Sequence, residues 1–201
     1  GADVLWLETI SAPEEFCAAA EGFALAGINW CGTMSFDTAG RTMMGMTSEA
    51  MVRMVEALSN PPLGFGANCG TGASDLLRTV LGFSSQRSAL PIIAKGNAGI
   101  PKYVDGHIHY DGTPELMADY AVMARDCGAT IIGGCCGTMP EHLSKMRAAL
   151  DEQPKSVPPK LEDIVARIGP FSSASDGTGD TDATPPRRRT RRATKAKQSQ
   201  Q

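Results

Sequence analysis

The chain has 201 residues, of which 42% are hydrophobic and 20% charged, with a formal net charge of −3. That composition supports one buried core and an irregular end, and no apolar run reaches the length of a membrane-spanning helix. Six cysteines at irregular spacing do not make a secreted disulfide scaffold, and the N-terminus lacks the pattern of a signal peptide, so reduced thiols and a cytoplasmic location are expected.

The chain opens on "DVLWLETI" (3–10), an apolar stretch of strand length that starts like the middle of a longer protein. Ser11, Ala12, Pro13 and the Glu14–Glu15 pair then signal a helix start. A second strand is expected in "INWCGTMSF" (28–36), followed by helix signals at Thr47, Ser48 and Glu49. A third is expected in "GFGANCG" (64–70) and a fourth in "PIIAKGNAG" (91–99). The "HIH" run at 107–109 reads as a surface hairpin. Thr113, Pro114 and Glu115 begin the next helix, and "TIIGGCCG" (130–137) is the fifth strand. Thr138, Pro140 and Glu141 open a further helix on which His142 is expected to be exposed. Residues 151–169 read as a linker with one short helix at 161–168. Residues 170–201 hold almost no apolar side chains and read as a disordered basic tail. From residue 171 onward, three aspartates stand against five arginines and two lysines, a net of +4. A solvated tail is the expectation, and nucleic acid is not an expected partner, because no aromatic residues interleave with basic ones in the folded part.

Strand followed by helix, repeated, predicts parallel α/β. Glu8, Thr33, Asn68 with Cys69, Asn97, and Cys135 with Cys136 all fall at C-terminal strand ends, the edge where such folds bind ligands. No G-x-G-x-x-G turn follows any strand, which argues against a dinucleotide fold. The expected fold is a (β/α)8 barrel. Five strands are too few to close one, so residues 1–150 would form its C-terminal part, strands four to eight, with about three βα units missing on the N-terminal side.

Adjacent residues of a strand point to opposite faces, so Cys135 and Cys136 can serve one site only if the chain leaves the strand there, a departure that the flanking glycines permit. With Cys69 they make three soft ligands at strand ends. Such a set selects Zn2+ and leaves a fourth position open, as catalytic zinc sites do. A vicinal disulfide is the alternative, disfavoured in a reducing compartment. Cys17, Cys31 and Cys127 lie in helix or mid-strand positions and read as inert thiols.

"GGCCGT" followed by "PEHL", the upstream "GANCG", "NAGIP", "LET" and "GTMSFDTAGRTMMGMT" resemble the zinc-dependent homocysteine S-methyltransferase family over residues 1–150. "IAKGNAGIPKYVDG" and "GTPELMADYA" are most similar to bacterial members of the betaine–homocysteine type. The resemblance implies a barrel enzyme that makes methionine from homocysteine, with zinc held by Cys69, Cys135 and Cys136. A free thiol is only about 3% ionised at pH 7, and coordination would deprotonate it. Three thiolates on Zn2+ carry −1 and a fourth makes −2, which suits a cationic donor, betaine preferred, with S-methylmethionine or methylcobalamin as alternatives. Glu8 matches a glutamate that holds homocysteine's ammonium group; its other reading is a salt bridge. Asn97 matches an asparagine that can occupy the vacant zinc position; its other reading is satisfaction of strand-end backbone groups. Many relatives carry proline where this chain has Gly96, which implies a looser loop, and Thr9 stands where a tyrosine can occur. Thr33, Asp37, Arg41 and Thr42 read as loop-ordering, and Trp6 and Trp30 as core before donor cage. A non-catalytic zinc-binding or interaction protein is the rival, since five strands alone would expose edges that pair with another chain, a second copy included.

Overall fold

The computed structural model describes residues 1–100 and 102–179, and the basic run at 187–192 lies outside the described residues. In chain order the elements are β1 (Leu5–Ile10), α1 (Pro13–Ala26), β2 (Trp30–Met34), α2 (Ser48–Glu56), β3 (Gly64–Cys69), α3 (Ala73–Ser85) and β4 (Ile92–Gly96). A hairpin of β5 (Lys102–Val104) and β6 (His107–His109) follows, then α4 (Pro114–Cys127), β7 (Ile131–Gly134), α5 (Pro140–Glu152) and α6 (Leu161–Arg167). The five expected strands form one all-parallel sheet in the order β1-β2-β3-β4-β7. The order never reverses along the sheet, which is the winding of a barrel rather than of a doubly wound sheet.

Alternation sorts the side chains onto two faces. Trp30 packs against Phe16 and Phe23 of α1 with ring centroids 5.4 Å apart, and Phe65 meets Phe83 of α3 at 5.4 Å, so these positions face the helices. Gly32 lies on the same face, where a Cβ would come within 2.6 Å of the Phe16 ring. The opposite face carries Trp6, Glu8, Thr33, Asn68 and Lys95. On a flat sheet β1 and β4 would lie about 14 Å apart, yet Glu8 of β1 and Lys95 of β4 form an ion pair. The sheet is therefore curled, with this face concave, and five strands cover part of a barrel wall.

Trp30 is core, as expected, but Trp6 is not. It projects from the concave face, 42% exposed, with Lys95 Nζ 5.3 Å from its ring centroid. The helix starts behave largely as read: Thr47 Oγ1 accepts the Ala50 N–H at 3.0 Å, and Thr113 Oγ1 accepts that of Leu116 at 3.2 Å. His142 departs from expectation. It is buried, its Nδ1 accepting the Met139 N–H at 3.0 Å and its Nε2 lying 3.0 Å from the Gly112 carbonyl, so it caps α5 and ties it to the start of α4. Nδ1 accepts, which assigns the ring proton to Nε2.

The stretch 171–179, placed in the tail by its composition, is docked. Ser172 N–H donates to Asp75 Oδ2 at 3.0 Å, and Arg78 donates to the Ser173 carbonyl at 2.9 Å while lying over the Phe171 ring. Further on, Arg41 donates to the Gly179 carbonyl at 2.7 Å, and Gly40 and Gly177 approach so closely that a Cβ on either would meet the other segment at 2.2 Å. Backbone groups make most of these contacts, which is why hydrophobicity did not reveal them. Among the described residues no helix is long and apolar enough to cross a membrane.

Candidate metal centre

The three cysteines meet because each leaves its strand by a specific backbone device. Cys69, the last residue of β3, takes φ +60°, and Gly70 continues at +71°. After β7, Cys135 N–H donates to the Gly96 carbonyl at 2.8 Å and Ala98 N–H to the Cys136 carbonyl at 2.9 Å. Thr138 N–H closes back on the Cys135 carbonyl at 3.2 Å, with Gly137 at φ +77°. The vicinal pair therefore sits in a tight turn, and both sulfurs face one point. The three Sγ atoms lie within 4.8 Å of one another, with Cys69 to Cys136 at 4.0 Å. A tetrahedral zinc with Zn–S bonds of about 2.3 Å needs sulfurs about 3.8 Å apart. The cluster fits that ion with a small contraction, and all six cysteines are free thiols, so no disulfide competes.

Two buried asparagines support the sulfurs. Asn97 Oδ1 accepts the Cys136 backbone N–H at 3.1 Å, which turns its Nδ2 toward the Gly70 carbonyl at 3.2 Å and Cys69 Sγ at 3.7 Å. Its amide oxygen is thus engaged by strand-end backbone, the second of its two expected readings. Asn68 Nδ2 lies 3.6 Å from Cys135 Sγ. Burial pushes the Cys69 thiol up to about 11; the Asn97 N–H opposes this and the neighbouring Cys135 and Cys136 add to it. A cation held among the sulfurs would act in the opposite direction and favour the Cys69 thiolate.

Glu8 lies at the C-terminal end of β1, where it was expected. Its Oε2 receives both Lys95 Nζ and the Trp6 indole N–H, the latter at 3.1 Å, and its side chain is 41% exposed. Gly96 is held rather than loose: its N–H donates to Tyr120 Oη at 2.9 Å and its carbonyl accepts from Cys135. Two contributors escaped the sequence reading. Thr33, read as loop-ordering, donates to Asn68 Oδ1 at 2.7 Å, on the end of that amide turned away from Cys135. Tyr110 packs its ring on Gly137, where a Cβ would be 2.3 Å away. Burial, and after it the neighbouring Cys136 thiol, raises the pKa of its hydroxyl. Asn68 carried a signal, a polar residue adjoining a ligand at a strand end; Tyr110, in a loop after a hairpin, carried none. Cys31 and Cys127 are buried and Cys17 half-buried, and they lie outside the cluster.

The profile of the homocysteine S-methyltransferase family matches residues 1–150. The chain belongs to that family. Two solved structures are similar to it, the apo and oxidized forms of the homocysteine methyltransferase MmuM from Escherichia coli, each with 22% identity and a TM-score of 0.57. Each likeness covers 74% of this chain, and 50% and 46% of the respective MmuM chains, so the chain spans about half the length of these solved chains. The likeness extends to the fold, the curled parallel sheet being part of a (β/α)8 barrel.

Proposed function

We propose that this chain carries the zinc and homocysteine site of a homocysteine S-methyltransferase, with Zn2+ held by Cys69, Cys135 and Cys136 and the methyl group supplied by an onium donor, betaine preferred. The observation that carries this reading is the convergence of the three sulfurs within 4.8 Å at the C-terminal rim of a parallel sheet. When bound, zinc would hold the substrate's sulfur as a thiolate at neutral pH. The chain's own residues do the rest. Asn97 and the turn at 135–138 fix the sulfur donors so that one direction stays open. Glu8 receives the substrate's ammonium group; its two present contacts both go to Oε2, which leaves Oε1 for that role.

An onium donor suits the charge. The methyl passes to the substrate sulfur as the carbon–nitrogen bond breaks, and its electron pair stays on nitrogen as a neutral tertiary amine. A cation facing an anionic centre is thereby neutralised, a step that a water-poor barrel mouth favours.

The test is methionine formation from homocysteine with betaine, S-methylmethionine or methylcobalamin, together with metal analysis of the parent and of Cys69→Ser, Cys135→Ser and Cys136→Ser. The expected result is methionine with betaine and zinc lost in each variant. Methionine from no donor would leave a non-catalytic zinc centre, and stoichiometric zinc in all three variants would remove the centre itself.

A further inference from the structure

Asn68 is the most fully engaged side chain beside the sulfurs, with no exposed surface. Its orientation is fixed by a group that can only donate: the backbone N–H of Thr9 lies 2.9 Å from Oδ1, which also receives Thr33 Oγ1 at 2.7 Å. Nδ2 must then face the other way, toward Thr9 Oγ1 at 2.8 Å and Cys135 Sγ at 3.6 Å. One amide thus spends both donor hydrogens and both acceptor sites on partners from β1, β2 and the turn after β7. Thr9 needs this support. Its φ is +64°, unfavourable for a β-branched residue, and the β1–β2 register breaks between Leu7 and Ile10. The residue before it is Glu8.

We infer that Asn68 is a positioning residue that ties the strand end carrying Glu8 to the sulfur of Cys135, so that the ammonium-binding carboxylate and one metal ligand are held by a single amide. The inference rests on the zinc reading above. Asn68 touches neither metal nor substrate; it directs the sulfur lone pairs by donating to Sγ and fixes the bent end of β1 by pairing with Thr9. Hydrogen-bond partners of metal ligands usually contribute 10- to 100-fold in metal affinity, and about that effect is expected here.

Asn68→Asp separates the two halves of this role. It keeps both acceptor bonds, to the Thr9 N–H and Thr33, and puts an oxygen where Thr9 Oγ1 and Cys135 had a donor; the Thr9 hydroxyl can turn to donate to that oxygen, whereas a metal-bound thiolate cannot. The experiment titrates the full chain and its variants with Co2+, reads the thiolate-to-cobalt charge-transfer bands, and measures zinc affinity by competition with a chelating dye. Asn68→Asp should stay folded by circular dichroism, bind zinc about 10- to 100-fold more weakly and show altered bands. Thr33→Val, which cuts the same network away from sulfur, should lose stability but keep zinc affinity within about twofold. Unaltered bands and affinity in Asn68→Asp would overturn the inference alone, as would an equal affinity loss in Thr33→Val. Absent bands in the parent would overturn the zinc reading and this inference with it.

Discussion

Tyr120→Phe deletes one oxygen from a side chain with no exposed surface, and its effect should reach the metal rim. The Tyr120 hydroxyl accepts the N–H of Gly96 at 2.9 Å. Gly96 ends β4, and its carbonyl holds the backbone of Cys135. Without the hydroxyl, a buried N–H loses its acceptor, at a cost of about 1–3 kcal/mol. For a domain of this size that corresponds to a fall in melting temperature of roughly 2–12 °C. Thermal and urea denaturation in the presence of chelator, followed by circular dichroism, isolate this term from metal binding. A loss below about 0.5 kcal/mol would refute the assignment of this bond. A second arm sharpens the test. Gly96→Pro brings no N–H, and a Cβ there would lie 3.0 Å from Tyr120 Cζ, so it should be damaging in the parent. Combined with Tyr120→Phe, the total should fall short of the sum of the two single losses by about 1 kcal/mol, because the orphaned donor disappears along with the donor's partner.

Arg78→Ala breaks an ion pair with Asp75 in which both side chains are under one-tenth exposed; a loss of about 3–5 kcal/mol is expected, and limited proteolysis should then cut within 171–179. His142→Ala removes the cap of α5 and the partner of the Gly112 carbonyl, and should cost about 1–2 kcal/mol in chemical denaturation. The pH dependence has a definite sign. Folded Cys69 holds its proton more tightly than the unfolded chain, with its pKa raised from 9.0 to about 11. In metal-free protein this contribution is complete below about pH 9 and is lost as pH rises through about 11. The denaturation midpoint should fall over that window more steeply in the parent than in Cys69→Ser, and equal slopes would contradict the assignment.

The parallel sheet was readable because each strand is a short apolar run closed by glycine or by a polar residue, and helices with Thr47 or Thr113 as caps announced themselves. Helix α3 gave no such notice: its cap is Gly72, which has no side chain to contribute. The sulfur set was readable for the same reason that it can bind a metal, since few other arrangements place adjacent cysteines among glycines at a strand end. Its supports were hidden. Asn68 and Thr9 are 59 positions apart, and Asn97 and Cys136 are 39 apart, so pairing them requires the sheet order. Trp6 was misplaced because composition cannot say which face of a strand lacks a covering layer. Residues 171–179 were misplaced because their contacts run through backbone carbonyls and N–H groups, which every sequence possesses.

The docked stretch has a bearing on how the molecule assembles during synthesis. Arg41 waits for Gly179, 138 positions later, and Asp75 waits for Ser172, 97 positions later, so the loop after β2 and the first turn of α3 stay untethered until that stretch has left the ribosome. Contacts so distant along the chain close late. The sheet can thus form first and these segments be cinched afterwards, and a chain cut after residue 170 would keep its wall while its mouth hangs open.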